Sequence, residues 1–168
     1  TREDHYRLID PFCLFYLRYV SSKNVIDTNF WTNNQQSQSV VSWRGIAFED
    51  LCIRHMSQIK SALGISGVIT SQSNWIVPGS ENEAGMQIDL LINRNDNIVN
   101  MCEMKFYHED FTVNGEYNKK IASRANKLHE DLPKKYAVHS TLITTYGLTY
   151  NEYSGAFQQV ITLEELFS

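Results

Sequence analysis

A chain of 168 residues, 42% hydrophobic and carrying nine Tyr, eight Phe and three Trp, is long enough for one globular domain with a short appendage and too aromatic for disorder. Its net charge of −4 excludes a surface that grips nucleic acid on every side, so any such contact must come from a local basic patch. No apolar run approaches the ~20 residues of a membrane span, no signal-peptide pattern opens the chain, and Cys13, Cys52 and Cys102 have neither disulfide-framework nor metal-ligand spacing. Buried, reduced thiols in a cytoplasmic protein are therefore expected. The chain begins at Thr1 in mid-pattern, which suggests a piece of a longer polypeptide.

In chain order, Asp10-Pro11 reads as an N-cap and first helical position, followed by Phe12–Val20, a helix too apolar to be solvated. Residues 21–42, rich in Ser, Asn and Gln, form a connector with a short helix around Val25–Trp31. Residues 1–42 are thus a packing extension, and 43–168 the main domain. A helix over Arg44–Leu63 carries Phe48, Cys52, His55, Ile59 and Leu63 as one stripe. Glu49 lies at its margin and, on helix logic alone, is an ordinary first-turn acid favoured by the dipole. Val68–Thr70 and Trp75–Val77 are short strand candidates, with Pro78-Gly79 a turn.

The next segment is the most informative. Gln87-Ile88-Asp89-Leu90-Leu91-Ile92, a polar loop Asn93–Asn97, and Ile98 to Phe106 read as a hairpin whose apolar strands carry Asp89, Glu103 and Lys105. Carboxylates and lysine are poor strand residues and are costly to bury, so three on one hairpin need a reason. With a five-residue loop, Ile92 pairs with Ile98, Asp89 with Met101 and Gln87 with Glu103. Alternation then puts Gln87, Asp89, Glu103 and Lys105 on one face with Leu91, Val99 and Met101. Ile88, Leu90, Ile92, Cys102 and Met104 fall on the other. Asp89 and Glu103 become diagonal neighbours with Cα atoms ~7–8 Å apart, near enough to share a Mg²⁺. A solvated sheet face with an acid–lysine pair is the plain alternative.

Tyr107–Glu116 reads as a polar loop. A helix over Tyr117–Leu132 follows, with Ile121, Ala125, Leu128 and Leu132 inward and Lys119, Lys120, Arg124 and Lys127 forming the chain's dense basic patch. Such a face commonly serves solubility, but beside the Glu-x-Lys strand it suits phosphate contact. Ser140–Thr145 and Val160–Leu163 have strand composition, and an acidic C-terminal helix closes the chain. The order predicts an α/β fold, a mixed sheet flanked by helices.

Gly45-Ile46-Ala47-Phe48-Glu49, then Gln87-Ile88-Asp89-Leu90, then Cys102-Glu103-Met104-Lys105-Phe106, then a basic helix, together resemble the PD-(D/E)XK nuclease superfamily with its restriction-endonuclease-like fold. The Pro-Asp dipeptide is absent, Ile88 standing before the aspartate. More narrowly, the chain is similar to the C-terminal nuclease-like domain of a group of prokaryotic AAA+ family ATPases. That likeness rests on Ile9-Asp10-Pro11-Phe12, Trp43-Arg44-Gly45, Gly85–Leu90, Cys102–Phe106, Thr144–Leu148 and Leu163–Phe167.

The resemblance implies Mg²⁺ or Mn²⁺ held by Asp89, Glu103 and the Met104 carbonyl. Lys105 would orient or deprotonate the attacking water. Glu49 would be an acid behind that metal or on a second one, and Gln87 a group binding water or a phosphate oxygen. Lys119, Lys120, Arg124 and Lys127 would hold the DNA backbone. It also implies an N-terminal ATPase domain as partner, oligomerisation through that part, and no membrane contact. No P-loop, and hence no ATP site, occurs in these residues. The competing function is a catalytically inactive nuclease-fold module that binds DNA or protein and regulates the ATPase. A purely structural or dimerising role would rest on the aromatic helix at 12–20. His5, His55, His108, His129 and His139 form no ligand spacing, which sets zinc aside.

Overall fold

Asp10 caps the first helix as expected: its carboxylate accepts the Phe12 backbone N–H at 3.1 Å, with Pro11 at the first helical position. The structure is a computed structural model that describes residues 10–21, 28–79 and 84–168. These form two compact units, Thr1–Leu51 and Cys52–Ser168.

In the first unit, α1 (Pro11–Phe15) continues as a π-helical turn over Tyr16–Val20 and is followed by α2 (Phe30–Asn34) and α3 (Gln38–Arg54). Its centre is aromatic. Phe15 and Tyr19 meet Trp31 and Trp43 with ring centroids 5.4–6.1 Å apart, and Phe30 adds to Tyr19 at 5.8 Å. Most of these contacts are edge-to-face, the arrangement that the ring quadrupoles favour. The helix within the connector begins at Phe30. Val25–Asp27, where it was expected to start, and Ile9 lie outside the described residues.

The second unit begins at Cys52, in the last turn of α3, and α4 (Met56–Ala62) follows after a kink at His55, so the single helix expected over Arg44–Leu63 is two. Phe48, Cys52, Ile59 and Leu63 are buried, whereas His55 leaves the stripe and packs its ring against Phe167 at 4.9 Å. Gly64, at φ +69°, ends α4. The Ile65 N–H reaches the Lys60 carbonyl at 2.8 Å across a left-handed residue that only glycine adopts freely.

Five strands then form one sheet in chain order: β1 (Thr70–Val77), β2 (Met86–Arg94), β3 (Ile98–Lys105), β4 (Ala137–Thr144) and β5 (Gln159–Thr162). The first three pair antiparallel and the last three parallel, so the sheet is mixed and flanked by helices. The two short strands expected over 68–77 are one. Its middle, Ser71–Asn74, is polar because β1 is an exposed edge whose side chains meet water. The backbone pinches where β1 leads to β2: a Cβ on Gly85 would stand 3.0 Å from the Gly79 nitrogen and 3.1 Å from the Val77 carbonyl.

The principal helix of this unit, α5 (Gly115–Asp131), lies between β3 and β4, with the Asn114 side chain accepting the Tyr117 N–H at 2.8 Å as N-cap. Its Ile121 and Leu128, each 2% exposed, bury against Ile88, Leu91, Val99, Met101 and Leu142, joined by Phe111, Val113 and Phe157. Each is worth about 1.5–3 kcal/mol of burial. The loop expected to be polar over Tyr107–Glu116 therefore supplies core residues, and an isolated bridge from Phe111 to Leu148 ties it down.

Candidate active site on the β2–β3 hairpin and α5

The hairpin register differs from the expected one by two residues. Leu91 faces Met101 and Leu90 faces Cys102, because the loop is three residues, Asn95–Asn97, rather than five. Asn97 takes a left-handed φ of 65°, the conformation that closes a three-residue hairpin loop. Arg94 braces the same turn through an ion pair with Asp96. A slip of two leaves the faces unchanged. The paired ladder ends at Leu90–Cys102, one residue short of Asp89 and Glu103, so the two are not the diagonal neighbours that the expected register made them.

A second departure lies at Asp89 itself. On the other side of β2, Ser73 pairs with Leu91 and Trp75 with Ile88, so Asp89 and Leu90 together oppose the single residue Asn74. This is a β-bulge. It breaks the alternation, which is why Ile88 joins Leu91, Val99 and Met101 on the α5 face rather than sharing the face of Leu90 and Ile92 as parity predicted. Bulges re-aim side chains and recur beside active sites. Here Asp89 is exposed, and Gln87, also exposed, donates to its Oδ1 at 2.6 Å.

Glu103 is held differently. It points toward α5 with its side chain 12% exposed. The Tyr117 hydroxyl donates to Oε1 at 2.6 Å, Lys105 Nζ lies 2.9 Å from the same oxygen, and Arg124 donates to Oε2 at 2.8 Å. Burial opposes its ionisation, but Lys105, the Tyr117 hydrogen bond and Arg124 outweigh burial and hold the carboxyl below its usual range. Tyr117 responds in the opposite sense: burial, then the neighbouring carboxylate, pushes its phenol far up. Phe111 stands edge-on to Tyr117 at 5.3 Å and Lys120 lies 5.9 Å over its ring, which fixes the hydroxyl on Glu103.

The basic helix does not present one face. Arg124 turns inward to Glu103 at 14% side-chain exposure. Tyr117, Ile121, Arg124 and Leu128 follow one another at four-, three- and four-residue steps, so the stripe that faces the sheet includes the arginine and the tyrosine. The expected patch of Lys119, Lys120, Arg124 and Lys127 is thereby divided. Lys119 and Lys127 line an open groove of roughly 840 Å³ with Ser123, Asn126, Glu130 and Met86, and Lys127 also pairs with Glu130 at 3.2 Å. Tyr117 was not singled out in the sequence. The step pattern that marked Ile121 and Leu128 as inward marks it too.

Of the remaining expected site residues, Met104 is buried between Glu103 and Lys105 on β3, and Glu49 is half-buried on α3 in the first unit. Among the described residues no group of three or more His, Cys, Asp or Glu gathers as a metal cage. Mg²⁺ needs fewer, since one or two carboxylates with waters and substrate oxygens suffice. The donor chemistry fits that ion: Asp89 is exposed and Glu103 is kept ionised, as a ligand must be. Cys102, buried near Cys52, has its thiol pushed well up by burial and is inert as a nucleophile.

No protein-family model matches the chain, and no curated protein matches it. Among solved structures it is similar to the crystal structure of a protein of unknown function, AF1548, at 20% sequence identity and a TM-score of 0.43. The likeness covers 69% of this chain, which spans 64% of the length of that one. No helix among the described residues is long and apolar enough to cross a membrane.

Proposed function

We propose that the domain hydrolyses phosphodiester bonds of DNA with a divalent cation, as the nuclease part of a larger ATPase polypeptide. The observation that carries this reading is the hairpin. Asp89 is exposed by a bulge on β2, and an ionised Glu103 stands on the neighbouring strand, two residues before Lys105. Asp89 and Glu103 would hold Mg²⁺ or Mn²⁺, with the Met104 carbonyl and waters completing the set. Such an ion, once bound, polarises a phosphoryl oxygen and lowers the pKa of its water. Gln87 orients Asp89 through its hydrogen bond. Lys105, 39% exposed, would place the attacking water or neutralise charge on the phosphate. Lys119 and Lys127, on the groove beside β2, would position the backbone without reading sequence.

A non-catalytic DNA- or protein-binding module is the second reading, favoured by one observation: both Glu103 oxygens already have donors within the protein. Plasmid incubated with the domain and Mn²⁺ separates the two. Cleavage lost in Asp89→Ala and Lys105→Ala supports the nuclease. Cleavage that survives Asp89→Ala, or none when the ATPase part is restored, supports the module.

A further inference from the structure

We propose that Arg124 is a counter-ion gate for this site: its guanidinium keeps Glu103 neutralised at rest, and a phosphodiester draws it away and so admits the divalent cation. The inference rests on the nuclease reading. A carboxylate oxygen has two acceptor positions, and those of Oε1 are taken by Tyr117 at 2.6 Å and Lys105 at 2.9 Å. Among the described residues Oε2 accepts only from Arg124, at 2.8 Å, so the remaining position for a cation is on the oxygen that carries the guanidinium. Two positive centres would then share one oxygen. Arg124 cannot relieve this by deprotonation. At 14% exposure it is poorly placed to be screened by solvent.

The charges set the order of events. Asp89 and Glu103 with Lys105 and Arg124 sum to zero, so the resting site has no excess negative charge to draw a cation, while Lys105 and Arg124 give an anion two donors to meet first. A phosphodiester brings one negative charge and two free oxygens, which match the fork of a guanidinium better than they match an ammonium. Moving Arg124 onto it frees Oε2. Tyr117 keeps its bond to Oε1 and stops the carboxylate from following. DNA binding and cation binding thereby become mutually reinforcing, and by linkage each strengthens the other by the same factor.

The test is Mn²⁺ affinity by calorimetry, with and without a phosphorothioate duplex that resists cleavage, for the wild type, Arg124→Gln, Arg124→Lys, Asp89→Asn and Glu103→Gln, each checked for folding by near-UV circular dichroism. Duplex is expected to tighten Mn²⁺ binding by about tenfold or more in the wild type, within the usual range of coupled sites. Arg124→Gln is expected to bind Mn²⁺ that tightly without duplex and to gain little from it, while Arg124→Lys, an ammonium without the fork, keeps only part of the coupling. Unchanged or weaker affinity in Arg124→Gln overturns the gate. Absence of tightening in the wild type overturns it independently of how any variant folds. If Mn²⁺ binding is present and lost in Asp89→Asn and Glu103→Gln while Arg124→Gln is unaltered, the gate falls and the metal site stands. If the wild type and Arg124→Gln both bind no Mn²⁺ in either condition, both fall.

Discussion

Replacing Tyr117 by Phe removes one oxygen from the Glu103 cage and leaves the ring against Phe111. The deleted bond is a 2.6 Å O–H···O⁻ contact in a partly buried setting. Hydrogen bonds to charged groups contribute ~1.5–3 kcal/mol, and the lower end applies because Lys105 and Arg124 remain on the carboxylate. A loss of about 1.5–2 kcal/mol is expected, which for a chain of this size lowers Tm by roughly 3–8 °C. The sign of its pH dependence follows from Glu103. A carboxyl whose folded pKa lies below its unfolded value stabilises fully above about pH 4.3 and loses that stabilisation as pH falls through the folded pKa. The phenol helps to set that depression. The gap between wild type and Tyr117→Phe is therefore widest near neutrality and narrows as pH drops below about 4. Urea denaturation at a series of pH values measures both. A gap under about 0.5 kcal/mol at pH 7, or one of equal size at pH 7 and pH 3, would refute the ionised cage.

Leu128→Ala, at a 2% exposed position between α5 and the sheet, is expected to cost about 2–5 kcal/mol in denaturant unfolding. Asn97→Gly should be neutral within about 0.5 kcal/mol, while Asn97→Val should cost about 1–2 kcal/mol, because a β-branched residue resists the φ of 65°. Gly85→Ala should lower Tm by several degrees, since its Cβ meets backbone rather than a side chain that can move. Thiol titration of the native protein should show Cys13 alone reacting promptly, with Cys52 and Cys102 reacting only on unfolding.

Periodicity and capping rules, which are local, placed much of this fold. Asp10-Pro11 starts a helix, Ile121 and Leu128 turn inward, and the apolar runs expected over 87–92, 98–106, 140–145 and 160–163 fall on strands of one mixed sheet. The division of the long helix at His55 and the merging of two short strands into β1 were not legible. A kink is settled by what packs beside it, and an edge strand tolerates polar residues that composition counts against it.

For the candidate site, the face that Glu103 and Lys105 share was determined by sequence alone, because alternation survives any even slip of register. Three things were decided only by the tertiary structure. Loop closure at Asn97 set the register, and pairing with β1 introduced the bulge that exposes Asp89 and turns Ile88 to the core. The docking of α5 on the sheet turned Arg124 and Tyr117 onto Glu103 and divided a basic helix into an inner partner and an outer groove. A residue's charge belongs to the sequence. What that charge faces depends on how two elements far apart in the chain pack, and no local rule contains it.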